Sequence, residues 1–314
     1  MCKHFMKRKK QTRTILLLML YMITSSWGFF AHKEINKLAI FTLPPQLAFF
    51  YKKHMDYIVE HAVDADKRRY VSKNEAPRHY LDTDHYGSHP FDSIPPKWED
   101  AVAKYSEDTL MAHGIVPWQI EKSFYLLVNA FSKRNLKQIL RYSADLGHYI
   151  ADAHVPLHTT HNYNGQFSHQ EGIHAFWESR LPELYAKQYN FFVGPAQYVE
   201  KPLQKSWEIV RNSFSLVDTL LLEEKRLTQY IPPDQKYAFE QRNNEITKVY
   251  AQDFAALYHE QLKGMVEQQM RSAVEEVGSF WYSAWITAGQ PDLSQLKEQA
   301  TEVKSDSSGV FFKK

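Results

Sequence analysis

Apolar residues recur at helical spacing along most of the chain, and this pattern predicts a protein built from α-helices. A helix returns side chains to one face every three or four residues, whereas a strand alternates every two. No convincing alternating strand and no internal repeat appears in the sequence. The predicted helices span about 33–41, 46–63, 98–113, 118–131, 135–153, 173–188, 205–225, 234–262 and 265–288.

Helix breakers fall between these segments rather than dividing the chain into separate units. Pro44 and Pro45 follow the first predicted helix, and Pro156 follows the fifth. Two polar segments, 74–97 and 158–172, are predicted loops. We therefore expect an all-α protein with one domain, a multi-helix bundle over residues 27–292, and a polar tail over 293–314.

The N-terminal segment differs from the rest of the chain. It has basic residues first, an apolar run at 15–23, and then the small residues Thr24, Ser25 and Ser26. The apolar run is much shorter than the roughly 20 residues that span a bilayer. We therefore predict that 1–26 is a cleaved signal peptide rather than a membrane anchor. The protein would be exported to the periplasm or the extracellular space, and Trp27 would become its first residue.

Cleavage would change both the charge and the thiol content. The first 26 residues hold six of the 38 Lys and Arg residues, so 32 remain against 36 Asp and Glu. This balance argues against a protein that binds polyanions through a general basic surface. The single cysteine, Cys2, would leave with the signal peptide. An exported chain without disulfides must depend on packing or on bound metal for its stability.

Fifteen histidines make metal binding the leading chemical hypothesis. His148 and Asp152 are four residues apart on one predicted helix, and His174 and Glu178 repeat this spacing on another. His158 lies between the two pairs. A single pair of this kind is more often a hydrogen bond within a helix. Five nitrogen and oxygen donors in this order, however, suit zinc.

Further donors lie upstream. His79 stands in a loop three residues before Asp82, and a turn after the second predicted helix offers Asp64 and Asp66. The donors then exceed the needs of one tetrahedral zinc ion. A freed amine and the carbonyl of Trp27, five residues before His32, would complete another chelate.

These residues, in this order and with a leading tryptophan, resemble the superfamily of zinc-dependent phospholipases C and single-strand-specific zinc nucleases. The resemblance covers about 27–290 and implies an all-α bundle with three zinc ions at the bottom of a cleft. The first ion would be bound by His79, His148, Asp152 and an aspartate of the 64–66 turn. The second would be bound by His158, His174 and Glu178. The third would be bound by the Trp27 amine and carbonyl, His32 and bridging Asp152.

The aspartate of the turn has two candidates. Asp66 with Arg69 reproduces the family's Asp-x2-Arg spacing, whereas Asp64 better preserves the separation from the loop histidine. We prefer Asp66. The same aspartate is the candidate to orient or deprotonate the attacking water, as the resemblance implies. The remaining histidines match no ligand position, and His154 and His161 are the candidates to support ligands from behind.

The implied activity is hydrolysis of phosphoric ester bonds by zinc-activated hydroxide. Three ions and three carboxylates leave a local positive excess that would attract a phosphodiester. Glu178 and the His79–Asp84 loop look like the phospholipase branch, toward which we lean slightly. The Trp27–His32 spacing and Asp66–Arg69 look like the nuclease branch. The substrate would be a phospholipid, with transient contact with a membrane surface, or a single-stranded nucleic acid. No stable protein partner is implied. A zinc-binding protein without turnover is the alternative of another class.

Overall fold

The structure is a computed structural model that describes residues 29–242, 245–294 and 296. The predicted signal peptide, Trp27 and most of the predicted tail lie outside the described residues. Among those described, helices dominate, so the all-α prediction is confirmed. The first nine helices are α1 (Phe29–Ala39), α2 (Pro45–Lys53), α3 (Met55–His61), α4 (Asp64–Arg68), α5 (Pro90–Ser93), α6 (Trp98–Tyr105), α7 (Glu107–His113), α8 (Val116–Ser132) and α9 (Leu136–Ala153).

The second half of the described chain contains shorter helices, one hairpin and the longest helix. These elements are α10 (Ile173–Ala175), α11 (Leu181–Tyr185), α12 (Pro202–Phe214), α13 (Val217–Tyr230), α14 (Pro233–Lys236), β1 (Tyr237–Arg242), β2 (Glu245–Tyr250), α15 (Gln252–Gln261) and α16 (Met265–Thr287). A π-helical turn, Phe176–Arg180, joins α10 to α11. Short 3-10 turns span Ile40–Thr42, Ala76–His79, Thr83–Tyr86, Pro156–Thr159 and Ala186–Gln188.

Several helices predicted as continuous are interrupted in the structure. The predicted helix 98–113 divides at Ser106, whose φ of 69° ends α6. The Ser106 hydroxyl then accepts a hydrogen bond from the Thr109 amide at 3.3 Å and caps α7. The predicted helices 46–63, 173–188 and 205–225 are likewise each divided into shorter elements. Hydrophobic spacing indicates which face of a segment is buried. Because that buried face continues across a break in the helix, the spacing does not reveal the break.

The prediction of a helix over 234–262 is wrong in its first half. Strands β1 and β2 form an antiparallel hairpin in which Tyr237 pairs with Tyr250. β2 contains the β-branched residues Ile246, Thr247 and Val249, which favour strands over helices. Only α15 occupies the second half of the predicted helix.

The core lies between α8, α9, α12 and α16. Tyr51 of α2 stacks on Trp281 of α16 with ring centroids 4.7 Å apart, and both side chains are fully buried. The Trp281 indole donates to the Ser143 carbonyl at 3.0 Å, while the Tyr51 hydroxyl bonds the Ser143 hydroxyl at 2.7 Å. Apolar packing with satisfied polar atoms therefore fixes α9 against α2 and α16.

A glycine allows α1 to lie directly against α9. A Cβ atom on Gly147 would lie 2.0 Å from Oδ1 of Asn36, so a larger residue would displace the buried Asn36 side chain from this contact. The close approach brings His32 of α1 onto the ring of His148, with centroids 4.1 Å apart. Helix packing thus places the first two candidate ligands side by side.

Within the described part of the chain, none of the helices combines the length and the apolar character needed to cross a membrane.

Candidate metal centre

Helix α9 supplies two of the predicted ligands from one face. His148 and Asp152 are buried one turn apart, and the His148 Nε2 atom lies 3.2 Å from Asp152 Oδ2. The His148 Nδ1 atom donates to the Ala62 carbonyl at 2.8 Å. That hydrogen bond leaves the Nε2 lone pair of the neutral ring directed at the centre, as second hydrogen bonds to ligand histidines commonly do.

Two loop histidines are held next to each other by their backbone. His79 ends the 3-10 turn Ala76–His79, and His158 lies in the turn after Pro156, where α9 has ended. The His158 Nδ1 atom donates to the His79 carbonyl at 2.7 Å. The His158 Nε2 atom then faces Glu178, 3.5 Å from Oε2. His79 presents its Nδ1 atom 2.8 Å from Asp152 Oδ2.

Asp152 lies at the middle of the group. Its Oδ2 atom faces His79 and His148, while its Oδ1 atom lies 3.4 Å from Nε2 of His32 and 3.7 Å from Nδ1 of His158. One carboxylate therefore has each oxygen directed at a different set of imidazoles. This is the arrangement expected of a carboxylate that bridges two metal ions.

His174 and Glu178 complete the group from α10 and the π-helical turn. The His174 Nε2 atom lies 2.8 Å from Glu178 Oε2, and the second oxygen of Glu178 lies 3.4 Å from His32 Nε2. The predicted i, i+4 pair therefore faces inward, although the helix there changes its hydrogen-bond pattern.

The two aspartates of the 64–66 turn point in different directions. Asp66 Oδ1 lies 3.7 Å from His79 Nδ1 and 3.8 Å from His148 Nε2. Asp64 instead bonds His61 at 2.5 Å and Lys67 at 2.9 Å. Burial would raise the pKa of Asp64, but those two hydrogen bonds outweigh it and lower the pKa. The geometry brings Asp66, and not Asp64, to the histidines.

The charges of this group call for a cation. Asp66, Asp152 and Glu178 contribute three carboxylates among five imidazoles, mostly out of contact with water. Burial alone would lower the pKa of His148, but the charges of Asp152 and Asp66 raise it to about 10. Burial is likewise outweighed at His158, where Asp152 and Glu178 raise the pKa to about 9. The carboxylates thus stabilise positive charge at the positions where divalent ions would supply it.

The donor geometry also fits metal ions better than a network of hydrogen bonds. His148 Nε2 and His79 Nδ1 face each other at 3.0 Å and share one carboxylate oxygen. At this centre, four groups of described donors have all their ligand atoms within 4.8 Å of one another, namely His79, His148 and Asp152; His158, His174 and Glu178; His32, Asp152 and Glu178; and His32, Asp66 and His148.

The sequence did not reveal the network of charged residues behind His79, where Glu75 Oε1 lies 3.8 Å from His79 Nε2. Arg68 donates to Asp145 at 2.9 Å and to Glu75 at 3.2 Å, and Glu75 also accepts a hydrogen bond from the Tyr149 hydroxyl. Burial would raise the pKa of Glu75, but Tyr149 and Arg68 outweigh it and lower the pKa. Residues from α4, α9 and the 3-10 turn are thereby locked together around the ligands. Glu75, four residues before His79, was the only available signal.

The two histidines predicted to support ligands are placed elsewhere. His154 donates to the Ile150 carbonyl at 2.8 Å within its own helix. The Nδ1 atom of His161 faces Asp82 at 3.2 Å. Among the contacts of the described residues, none joins either ring to a predicted ligand side chain by a hydrogen bond. Trp27, the remaining predicted ligand, lies outside the described residues.

Comparison with known families decides between the broad classes of function. The sequence model of zinc-dependent phospholipase C matches residues 31–231. The chain belongs to this family. A search of curated proteins finds no match. The matched range contains every predicted ligand side chain from His32 to Glu178. The family consists of zinc-dependent hydrolases of phosphoric esters, and the donor clusters of this chain are consistent with zinc binding.

Proposed function

We propose that this chain is an exported phosphodiesterase with three zinc ions that hydrolyses phospholipids in the manner of a phospholipase C. Family membership supports the lipid substrate and the class of reaction. The observation that carries the trinuclear centre is the position of Asp152, whose two oxygens face separate groups of imidazoles. A centre with a single ion would not need a carboxylate in that position.

Each ion has a set of candidate residues. His79, His148, Asp152 and Asp66 would hold the first, and His158, His174 and Glu178 the second. His32, Asp152 and the Trp27 amine and carbonyl would hold the third. Glu178 Oε1 lies as close to His32 as Asp152 does, at 3.4 Å, and so belongs with the donors of the third site as well.

The exposed side of the centre is where substrate would bind. Zinc ions, when bound, lower the pKa of water and neutralise charge that develops on a phosphoryl group. Asp66 and His174 retain 19% and 25% side-chain exposure, whereas His148 and Asp152 are almost wholly enclosed. Asp66 is therefore placed to accept a proton from a water molecule that approaches from solvent. Arg69, 3.4 Å from Asp66 and partly exposed, would orient this carboxylate and attract an anionic substrate.

Export would complete the centre. While residues 1–26 remain attached, the Trp27 nitrogen is an amide and cannot bind zinc. Cleavage after Ser26 would free it as an amine, so the enzyme would gain its third site only after processing. Intact-mass measurement of the exported protein is expected to give a chain that begins at Trp27. A mature protein that retains the first 26 residues would contradict both the export pathway and the third site.

The test of the reaction compares two aspartates of the same short helix. Asp66→Asn is expected to reduce the hydrolysis of phosphatidylcholine vesicles by about 100-fold or more, because a general base contributes that much. Asp64→Asn serves as the matched control, since within the described part of the chain the Asp64 carboxylate forms its hydrogen bonds with His61 and Lys67. Its activity should stay within about twofold of wild type, because exposed ion pairs contribute little. Equal losses in both variants would contradict the role of Asp66.

Substrate class needs a second assay. Parallel measurements on phosphatidylcholine vesicles and on single-stranded DNA, both with zinc, are expected to show turnover of the lipid. Faster cleavage of DNA would place the chain with the nucleases instead. A protein that holds its full zinc content and hydrolyses neither substrate would be a zinc-binding protein.

A further inference from the structure

A separate group of side chains that can bind a metal ion lies outside the centre described above. Asp82 Oδ2 faces the Nδ1 atoms of His113 and His161, at 3.3 Å and 3.2 Å. All three donor atoms lie within 4.8 Å of one another. Asp82 is buried with 8% side-chain exposure, whereas His161 is 53% exposed. The group is thus anchored in the protein and open to solvent on one side.

Two backbone segments run together from the buried centre to this outer group. His79 and Asp82 are three residues apart on one segment, and His158 and His161 are three residues apart on the other. The Leu81 amide donates to the His158 carbonyl at 2.9 Å, and the Thr83 hydroxyl donates to the Thr159 carbonyl at 2.5 Å. The segments that supply His79 and His158 to the inner centre therefore also fix the outer group.

Asp84 and α7 position the two histidines of the outer group. The two oxygens of Asp84 accept hydrogen bonds from the Thr160 hydroxyl at 2.6 Å and from the His161 amide at 2.8 Å. The Asp82 amide donates to the His113 carbonyl at 2.7 Å, which holds the end of α7 against the loop. His85 stacks on the His113 ring with centroids 3.3 Å apart. Both imidazoles are thus held before any ligand arrives.

The two distances at Asp82 match ligand atoms of one shared ion and lie at the long end of the range for hydrogen bonds. Imidazole nitrogens and carboxylate oxygens bind zinc at roughly 2.0–2.2 Å, so neighbouring ligand atoms of a tetrahedral ion lie about 3.3 Å apart. The two separations at Asp82 have this length. N–H···O hydrogen bonds are most often about 2.9–3.0 Å long. Two histidines and one carboxylate with an open fourth position form a common zinc donor set.

We propose that Asp82, His113 and His161 bind a further divalent cation of the zinc type, with water as its fourth ligand. The ion joins three segments that are distant in the sequence: the 82–86 turn, the end of α7, and the loop 161–170. That loop carries the exposed ring of Phe167, stacked on His161 with centroids 5.1 Å apart. Because the site is partly open to water, it exchanges its ion more readily than the buried centre.

The test counts bound ions in matched variants of the processed full-length protein. Wild type, the double variant His113→Ala/His161→Ala, and the control His89→Ala are each equilibrated with buffered zinc and analysed for metal content. The double variant is expected to bind one zinc ion fewer than the other two proteins. Equal zinc content in all three would overturn the site. The comparison is a difference between variants, so it does not depend on how many ions the inner centre holds or on whether the protein is a hydrolase.

A second measurement uses only the wild-type protein and so does not depend on the folding of a variant. Diethyl pyrocarbonate modifies accessible imidazoles, and peptide mass spectrometry locates each modified histidine. Zinc is expected to reduce the modification of His161 at least fivefold, while the exposed His89 and His169 react as before. Unchanged modification of His161 across the zinc range in which metal content rises would overturn the site.

Discussion

Two of the clusters in which the protein buries charged side chains are built differently. At the first, Glu224 of α13 is fully buried next to Tyr250 of the hairpin. Lys236 contacts it at 2.7 Å, and Gln170 donates to it at 2.5 Å. Thr228 and Tyr250 add two longer hydrogen bonds, both 3.3 Å. Every charge in this cluster is balanced by a protein group, as a structural ion pair requires.

The metal centre is not balanced in this way. Its inner carboxylates, Asp152 and Glu178, form their described ion pairs with imidazoles rather than with a lysine or an arginine, and Arg69 contacts the outer carboxylate, Asp66. An imidazole balances a carboxylate only by holding an extra proton, and the raised pKa values of His148 and His158 reflect how strongly the carboxylates of the centre favour positive charge. The difference teaches how to distinguish the two kinds of site. A buried carboxylate paired with a lysine is a structural ion pair, whereas buried carboxylates that face several imidazoles provide a donor set for a metal cation.

Replacing Asp152 by alanine should have the largest effect. We expect vesicle hydrolysis to fall by more than about 100-fold, because even outer partners of metal ligands affect function by 10–100-fold. Zinc content should fall by at least one equivalent, since this carboxylate faces two groups of imidazoles. Kinetics and elemental analysis on the same sample measure both. A variant with full zinc content and activity would contradict the bridging position.

Replacing Glu224 by alanine should affect stability rather than catalysis. Lys236 would remain buried without its partner, and such a change costs about 3–5 kcal/mol of the free energy of unfolding. Urea denaturation measures this loss. Zinc content and activity at low temperature should remain near wild type, because the contacts of Glu224 lie outside the donor groups. Loss of zinc in this variant would contradict the separation of a structural ion pair from the metal centre.

Removing the metal ions should have an intermediate effect on stability. A ligand at 100 times its Kd stabilises the native state by about 2.7 kcal/mol. For a domain of this size, each kcal/mol corresponds to about 2–4 °C in melting temperature. We therefore expect a chelator to lower the melting temperature of wild type by about 5–10 °C. Glu224→Ala should show the same decrease, whereas Asp152→Ala should show a smaller one.

An apolar replacement of the whole ion pair should have the smallest effect. Buried ion pairs can often be exchanged for apolar residues with little loss. The double variant Glu224→Leu/Lys236→Met is therefore expected to unfold within about 2 kcal/mol of wild type. Gln170 would keep its second hydrogen bond, to the Leu221 carbonyl at 2.8 Å. A double variant as unstable as Glu224→Ala would show that the carboxylate has a role beyond balancing Lys236.

Local spacing made the helical ligand pairs visible in the sequence, and long-range contacts remained hidden. His148 with Asp152 and His174 with Glu178 follow from the helical period alone. The choice between Asp64 and Asp66 depends on the direction of two side chains within a five-residue helix, which no spacing records. His113 contacts Asp82, which is 31 residues away in the sequence, and no sequence motif predicts that contact.

The prediction failed for a different reason at the hairpin. The predicted helix over 234–262 includes the residues that form strands β1 and β2. The β-branched residues of β2 and the two asparagines at 243–244 in the sequence were the available signals. Packing of Tyr250 against Phe176, with ring centroids 3.8 Å apart, favours the strand in the folded protein. Such tertiary contacts are absent from any local pattern.

Anomalous X-ray diffraction at the zinc absorption edge, on crystals of the processed protein, tests the central proposal most directly. We expect three peaks in the buried centre, two of them within about 2.2 Å of an Asp152 oxygen and one of them at the Trp27 nitrogen. Fewer than two peaks there, or peaks without contact with Asp152, would contradict the proposal.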